Sequence, residues 1–458
     1  MLGANKFLGG FEKMKSMKKM VLVGLVLLAS VMVLVGCDTN AGDSSSGADA
    51  PTQQPTGDGS GKTETPKFTV TFNTDGGSAV DSQSVESGKM ATKPEDPTLE
   101  GSWFLGWYGD KELTKEFDFT SPITNDTEVY AKWSYKFHAK PKILTGYTSP
   151  NNTNNTWIYV TFGDWPQTIK ADDVTVDENN SRKMGMFTYY LGSDDNHYVK
   201  EKENAYGSGD EYKYSDGTPA GQGGESEKWF KVEPIVWRVL TENYIVPDEN
   251  GQKIESGNAL LLAENILIGG IPWDDDKNNY MESNIRKWLN GNSGSGEQSD
   301  YSGDADFLQT AFTTSAQNLI AETTVDNSAA STIPNTLTEE QKKSDWNEGK
   351  NNYACDDTKD KIFLLSEQEA TTKEYGFGEY SAYGQGNTRI RVTTDYAKAT
   401  GAYQSGTVGY GGWWWLRSPL YVYDYCVRSI GDGGDARGNN YVYDSMVGVV
   451  PALSISLQ

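Results

Sequence analysis

GGWWWLRSPL (411–420), YVYDYCVRSIGDGGDARGNNYVYDSMV (421–447) and GVVPALSISLQ (448–458) close the chain. The two flanks read as buried framework. Trp413, Trp414 and Trp415 bring large apolar area, and Val449, Val450, Ala452, Leu453, Ile455 and Leu457 read as a terminal core strand. The segment between them, 420–447, is instead crowded with Tyr, Asp, Gly, Ser, Asn and Arg. Its short strands are expected to turn at 431–434 and again around 438–440. Tyrosines at 421, 423, 425, 441 and 443 offer rigid amphipathic contact area, while Ser, Gly and Asn offer adaptable hydrogen bonds. That is the composition of a recognition surface, as in antibody paratopes.

Lys, Glu, Gln and Trp are absent from 420–447, although the rest of the chain uses all four. An AAC codon cannot reach these residues when only its adenines change. It can reach every residue type in the stretch except Met446. The frame WWWLRSP…GVVPAL resembles the end of the variable proteins diversified by retroelements, in particular the treponemal variable surface lipoproteins. The resemblance runs from about Tyr147 to Gln458 and is densest after Lys361. It implies a C-type-lectin fold of the formylglycine-generating-enzyme subtype, with adenine-directed mutagenesis rewriting the ligand-facing positions. The expected ligand-facing set is Tyr421, Tyr423, Asp424, Tyr425, Ser429, Asp432, Asp435, Arg437, Asn439, Asn440, Tyr441, Tyr443, Asp444 and Ser445. Strand alternation must send some of these inward, so the set is an upper bound. Val427, Ile430, Val442 and Val447 are the expected inward supports, and Arg417 a framework arginine that pairs with a carboxylate or with carbonyls.

Upstream, the elements of a large domain at 147–458 follow in order. Residues 157–162 (WIYVTF) read as a strand entering Gly163-Asp164-Trp165-Pro166-Gln167; a strand followed by FG-x-x-PQ resembles the opening of the lectin-like domain of the same surface proteins. A polar, glycine-rich insertion at 202–228 precedes strands at 229–240 and 259–268. Ser283 caps a helix over 284–290 that buries Ile285, Trp288 and Leu289 and stops at Gly291. Asp304 is expected to cap a second helix carrying Phe307, Leu308, Ala311 and Phe312, continuing through Leu319 to Ala321. A strand at 361–366 leads to a short helix boxed by Ser366 and Glu369. The fold class expected is α+β: a C-type-lectin-like C-terminal domain, with two helices beside a mixed sheet, after a small β-grasp-like domain.

That small domain occupies 67–133. Phe68 to Phe72 alternate as a strand and Asp75-Gly76-Gly77 turns it. With Phe104-Leu105-Gly106-Trp107-Tyr108, Phe117-Asp118-Phe119 and Val129-Tyr130-Ala131-Lys132-Trp133, it resembles the Listeria–Bacteroides repeat, a β-grasp-like module of the internalin B type. The resemblance implies a spacer or interaction module in surface and adhesion proteins; a stalk role is expected here. Trp103, Trp107 and Trp133 are expected to form its core, because so small a domain needs its aromatics for burial.

The N-terminus reads as an export signal. Lys13, Lys15, Lys18 and Lys19 precede an apolar run at 21–35, and Leu34-Val35-Gly36-Cys37 matches the lipobox of bacterial lipoproteins. Residues 1–37 are then a signal peptide with Cys37 as the acylated mature N-terminus; the alternative is a transmembrane helix, for which the run is short. The lipid would anchor the chain in the cell envelope, at the outer-membrane surface. Residues 38–66, rich in Ser, Gly, Thr, Asp and Pro, read as a disordered tether.

The net charge of −24 argues against nucleic acid as a partner. His138 and His197 are the only histidines, too few for a multi-histidine metal centre. Asp and Gly at 431–435 lack the remaining ligands of a calcium loop and read as turn residues. Neither cofactor nor metal nor catalytic residue is expected. An oxidase of the formylglycine-generating type would need Cys426, which sits in the stretch left free to vary; with Cys355 it could instead form a disulfide, or both remain free thiols. The expectation is therefore a surface lipoprotein binding a variable protein or glycan. A fixed adhesin or a structural envelope protein is the alternative, and a cysteine-dependent oxidase the third reading.

Overall fold

The computed structural model describes residues 65–151, 157–207, 212–291, 306–345 and 351–456. The export signal with Cys37, nearly all of the tether, the loop at 152–156, Asp304 and Leu457 lie outside the described residues. Among the described residues strand accounts for 35% and helix for 11%, so α+β holds only as a β framework carrying short helices.

The small domain is a four-stranded sheet whose outer pairs are antiparallel and whose central pair, Lys67–Asn73 and Thr127–Trp133, is parallel. Val70, Phe72, Val129 and Ala131 fall on one face by strand alternation and bury against Trp107 and Trp133. Trp103 does not join them. It turns outward into the core of the large domain, where its ring packs edge-on against His197 with centroids 4.5 Å apart and lies under the Arg182 guanidinium at 4.8 Å. Arg182 also donates to the Ser102 carbonyl at 2.6 Å, His197 Nε2 meets Ser134 Oγ at 2.8 Å, and Lys132 pairs with Asp195 at 2.9 Å. The small domain is thus docked, within one compact unit spanning Thr65–Gln458, rather than standing free as a stalk.

The large domain is built on a nine-stranded sheet. Its order runs Ile362–Phe363, Ala452–Ser456, Asn258–Ala263, Glu227–Thr241, His197–Lys202, Phe187–Gly192, Val176–Met184; Tyr159–Ile169 also pairs with Glu227–Thr241, and Lys142–Ile143 with Tyr159–Ile169. The strand pairs are antiparallel throughout, not mixed as expected. Asn258–Ala263 (NALLLA) shows why no alternation is visible in its sequence: it is central and covered on both faces, so all of Ala259, Leu260, Leu261, Leu262 and Ala263 are buried. Each such leucine contributes about 1.5–3 kcal/mol. The terminal strand Ala452–Ser456 slots between Asn258–Ala263 and Ile362–Phe363, which ties the end of the chain to the middle of the core.

The helix Asn284–Asn290 has the Ser283 cap, buried face and Gly291 stop expected of it. The second helix, Phe307–Ala311, is capped by Asp306 rather than Asp304. It stops at Phe312, and a separate short helix, Thr314–Gln317, leaves Leu319 exposed. The capping box of Ser366 and Glu369 is formed.

Candidate ligand-binding face

The closing stretch folds as a three-stranded antiparallel sheet, Trp414–Pro419, Cys426–Ile430 and Gly438–Tyr441. The turn at 431–434 is present, with Gly434 N–H donating to Gly431 O and Gly431 N–H to Asp435 O, both at 2.9 Å. Residues 438–440, expected as a turn, are strand. Gly438 pairs with Ser429 so closely that a Cβ there would lie 2.6 Å from Ser429 Oγ, and the chain reverses only beyond Tyr441. Trp414, Trp415 and Leu416 are buried, and so are the four inward supports Val427, Ile430, Val442 and Val447.

Tyr423, Tyr425, Tyr441 and Tyr443 come together in one exposed row. Successive ring centroids lie 5.3, 5.9 and 5.2 Å apart, with interplanar angles of 23°, 25° and 3°. The row joins the 420–425 loop to the strand and loop at 438–445. Tyr421 is half-buried beside it, and Asp424, Arg437, Asn439 and Ser445 are exposed.

Other members of the expected set serve the fold. Ser429 is buried and its hydroxyl donates to Asn440 Oδ1 at 2.6 Å, because Cys426–Ile430 is covered on both faces and leaves none of its residues exposed. Asn440 is half-buried and also donates to Asp444 Oδ2 at 3.3 Å, which accepts the Tyr441 N–H at 3.0 Å. Asp432 accepts the Gly433 N–H at 2.9 Å. Asp435 is half-buried and faces Arg437 at 3.7 Å. Ser429 is thus removed from the face, and Asn440, Asp432, Asp435 and Asp444 shape its turns.

The framework grips this stretch mainly through its main chain. Asn278, buried, donates from Nδ2 to the carbonyls of Leu420 (3.3 Å), Tyr423 (2.8 Å) and Cys426 (2.8 Å), while its N–H reaches Asp424 O at 2.7 Å. Trp273 and Asp274 N–H groups bind Val442 O, Gly270 binds Ser445 O, and Tyr403 binds Met446 O. At the far turn Arg389 Nε and Asn387 Nδ2 share Gly434 O at 2.6 and 3.0 Å, and Gly384 N–H binds Gly433 O. Gly434 holds φ +82° with Asn387 pressed beneath it, so only glycine fits. The main exception to main-chain grip is Arg428, buried and paired with Glu367 at 3.2 Å.

Sequence reasoning missed these holders, along with Tyr383 and Tyr410. Those two rings stack edge-on at 5.4 Å beside the turn, and Tyr383 OH reaches Asp432 at 3.5 Å. Arg417 is framework, donating to Leu364 O, Glu369 and Asp326 O. Cys355 and Cys426 are free thiols, and burial pushes both above the ordinary thiol range. Among the described residues no three His, Cys, Asp or Glu side chains converge as a metal site.

Residues 68–132 match the Listeria–Bacteroides repeat domain, so the small domain is such a repeat. Residues 256–457 match a domain of unknown function, DUF6273, and the whole candidate face lies inside that match. Two proteins of Evansella cellulosilytica are similar over short spans. One, named "Putative membrane protein", is 46% identical over 67 residues, 14% of this chain and 10% of that protein. The other, named "Putative Gly-rich membrane protein", is 39% identical over 79 residues, 17% of this chain and 9% of that protein. The chain spans about a tenth of the length of these relatives.

Proposed function

We propose that the chain is a lipid-anchored surface protein that binds a variable ligand through the tyrosine-rich face, on a C-type-lectin-like scaffold diversified by a retroelement. The observation that carries this reading is the grip on 420–447. Bonds that end on carbonyls and amides survive replacement of the side chains above them, so one backbone can present many surfaces. Tyr and Arg on the exposed side are the residue types that dominate binding energy elsewhere. The absence of Lys, Glu, Gln and Trp from the same stretch supports adenine-directed change as its source. The lipobox at Cys37 supports anchoring, in keeping with the names "Putative membrane protein" and "Putative Gly-rich membrane protein" of the two partial relatives.

On this reading the protein is not an enzyme: thiols disfavoured as thiolates are poor nucleophiles. One observation favours a fixed adhesin instead. Four rings stacked in register are an arrangement that random replacement would break. Sequencing the DNA beside the gene separates the two. A near-copy of the 420–447 codons with adenines at the differing positions, plus a reverse-transcriptase gene, is expected for the diversified binder; absence of both refutes diversification and leaves the adhesin.

A further inference from the structure

We infer that the face, in the form this sequence gives it, takes a basic polypeptide segment, with arginine side chains its main points of contact. The inference rests on the binding role proposed for 420–447 and adds the class of partner. Its first ground is the charge around the tyrosine row. The loop that holds the row in place, through Asp274 and Asn278, exposes Asp275 and Asp276 beside Lys277. Asp424 is exposed within the row's own loop, and Asp444 is half-buried at its other end. Arg437 is drawn toward Asp435, so carboxylates outnumber cations around the row. Such a field speeds and orients the approach of a cationic partner and opposes an acidic one.

The second ground is how the rings stand. Each inner ring, Tyr425 and Tyr441, stacks on two neighbours, whereas Tyr423 and Tyr443 each stack on one. The row is exposed along its length, and its end rings, Tyr423 and Tyr443, have the fewest ring contacts. A planar guanidinium stacks on a ring face and at the same time forks onto a carboxylate, a pairing that ammonium or a neutral sugar cannot reproduce. Asp424 is exposed one residue from Tyr423, whereas the Asp444 carboxylate beside Tyr443 is already engaged by Asn440 and the Tyr441 N–H, so the Tyr423 end is the better placed to offer a guanidinium both a ring and an acid. Hydroxyls between the ends suit the amide groups of an extended main chain.

The test uses the full chain in non-ionic detergent and three labelled probes: an Arg-rich peptide, a Lys-rich peptide of equal charge, and a neutral oligosaccharide. The Arg-rich peptide should bind best, more weakly as salt rises. The double variant Tyr423→Ser/Tyr443→Ser, which alters no charge, should weaken it by about tenfold or more. Asp424→Asn should weaken it less and flatten the salt dependence. Tyr425→Ser serves as a second variant should the first misfold by circular dichroism. Equal binding by wild type and tyrosine variants would mean that the chain's overall negative charge suffices, and would overturn the inference. So would failure of both peptides. Binding of the oligosaccharide alone, lost in the tyrosine variants, would overturn the basic partner while upholding the face; no tyrosine-dependent binding in any probe would count against both.

Discussion

Consider Asn278→Ala. One buried amide NH2, with two hydrogens, donates to the carbonyls of residues 423 and 426 at 2.8 Å and shares one of them with the carbonyl of residue 420 at 3.3 Å, and alanine makes none of these bonds. A net hydrogen bond is worth about 0.5–1.5 kcal/mol, and the Cys426 carbonyl keeps the Leu420 N–H at 3.0 Å, so the loss should be about 2–3 kcal/mol. Asn278→Asp should cost more than alanine despite its near-identical shape. A carboxylate cannot donate, and it would face three carbonyl oxygens. Against this stands Tyr443→Ser, which removes one exposed ring contact and should cost about 0.2–1 kcal/mol. The assay is urea unfolding of the whole chain followed by tryptophan fluorescence, with near-equal m-values as the check on two-state behaviour. The reasoning is refuted if Asn278→Ala costs no more than Tyr443→Ser, because the face would then not be hung from its main chain.

Three further outcomes follow from the same geometry. Arg428→Ser should cost about 3–5 kcal/mol, the loss typical when a buried carboxylate, here Glu367, is deprived of its guanidinium; a cost under 1 kcal/mol in the same unfolding assay would contradict the pairing. Burial, with Arg182 adding to it, holds His197 down to about 3 from an ordinary 6.5. Stability tied to it is therefore complete above pH 6.5 and declines as pH falls toward the folded value, by about 2 kcal/mol between pH 7 and 5. His197→Gln should flatten that slope, and an unchanged slope in unfolding curves taken across this range would rule the histidine out. Trp103→Ala should cost about 3–5 kcal/mol and open the seam between the repeat and the large domain, read as faster proteolysis between 133 and 157; unaltered proteolysis would mean the seam does not depend on that ring.

Side-chain patterns carried the parts of this fold that side chains decide. The tryptophan framework, the inward valines, the Ser283 and Ser366 caps and the repeat were legible because each follows from burial or from a local capping bond. What escaped were arrangements decided by the main chain. Nothing in the sequence around Asn278 marks it as a holder, since its partners are carbonyls more than a hundred residues away. Trp103 was misplaced for a related reason. Its apolarity requires burial, but the choice between two adjoining cores was made by Arg182 and His197, distant in sequence. The tyrosine row was visible as composition only. The order of its rings depends on the 420–425 loop folding back over Gly438–Tyr441, a closure that residue periodicity does not encode. Ser429 shows the converse limit: a residue type suited to recognition, buried because its strand is covered on both faces.

If one backbone carries a replaceable surface, population sequencing of the gene's closing region should find variation confined to that surface. Substitutions are expected at Tyr421, Tyr423, Asp424, Tyr425, Arg437, Asn439, Tyr441, Tyr443 and Ser445, with Arg428, Gly434 and both flanks constant. A uniform sequence across a growing population, or changes falling as often on Arg428 and Gly434 as on the exposed tyrosines, would contradict it.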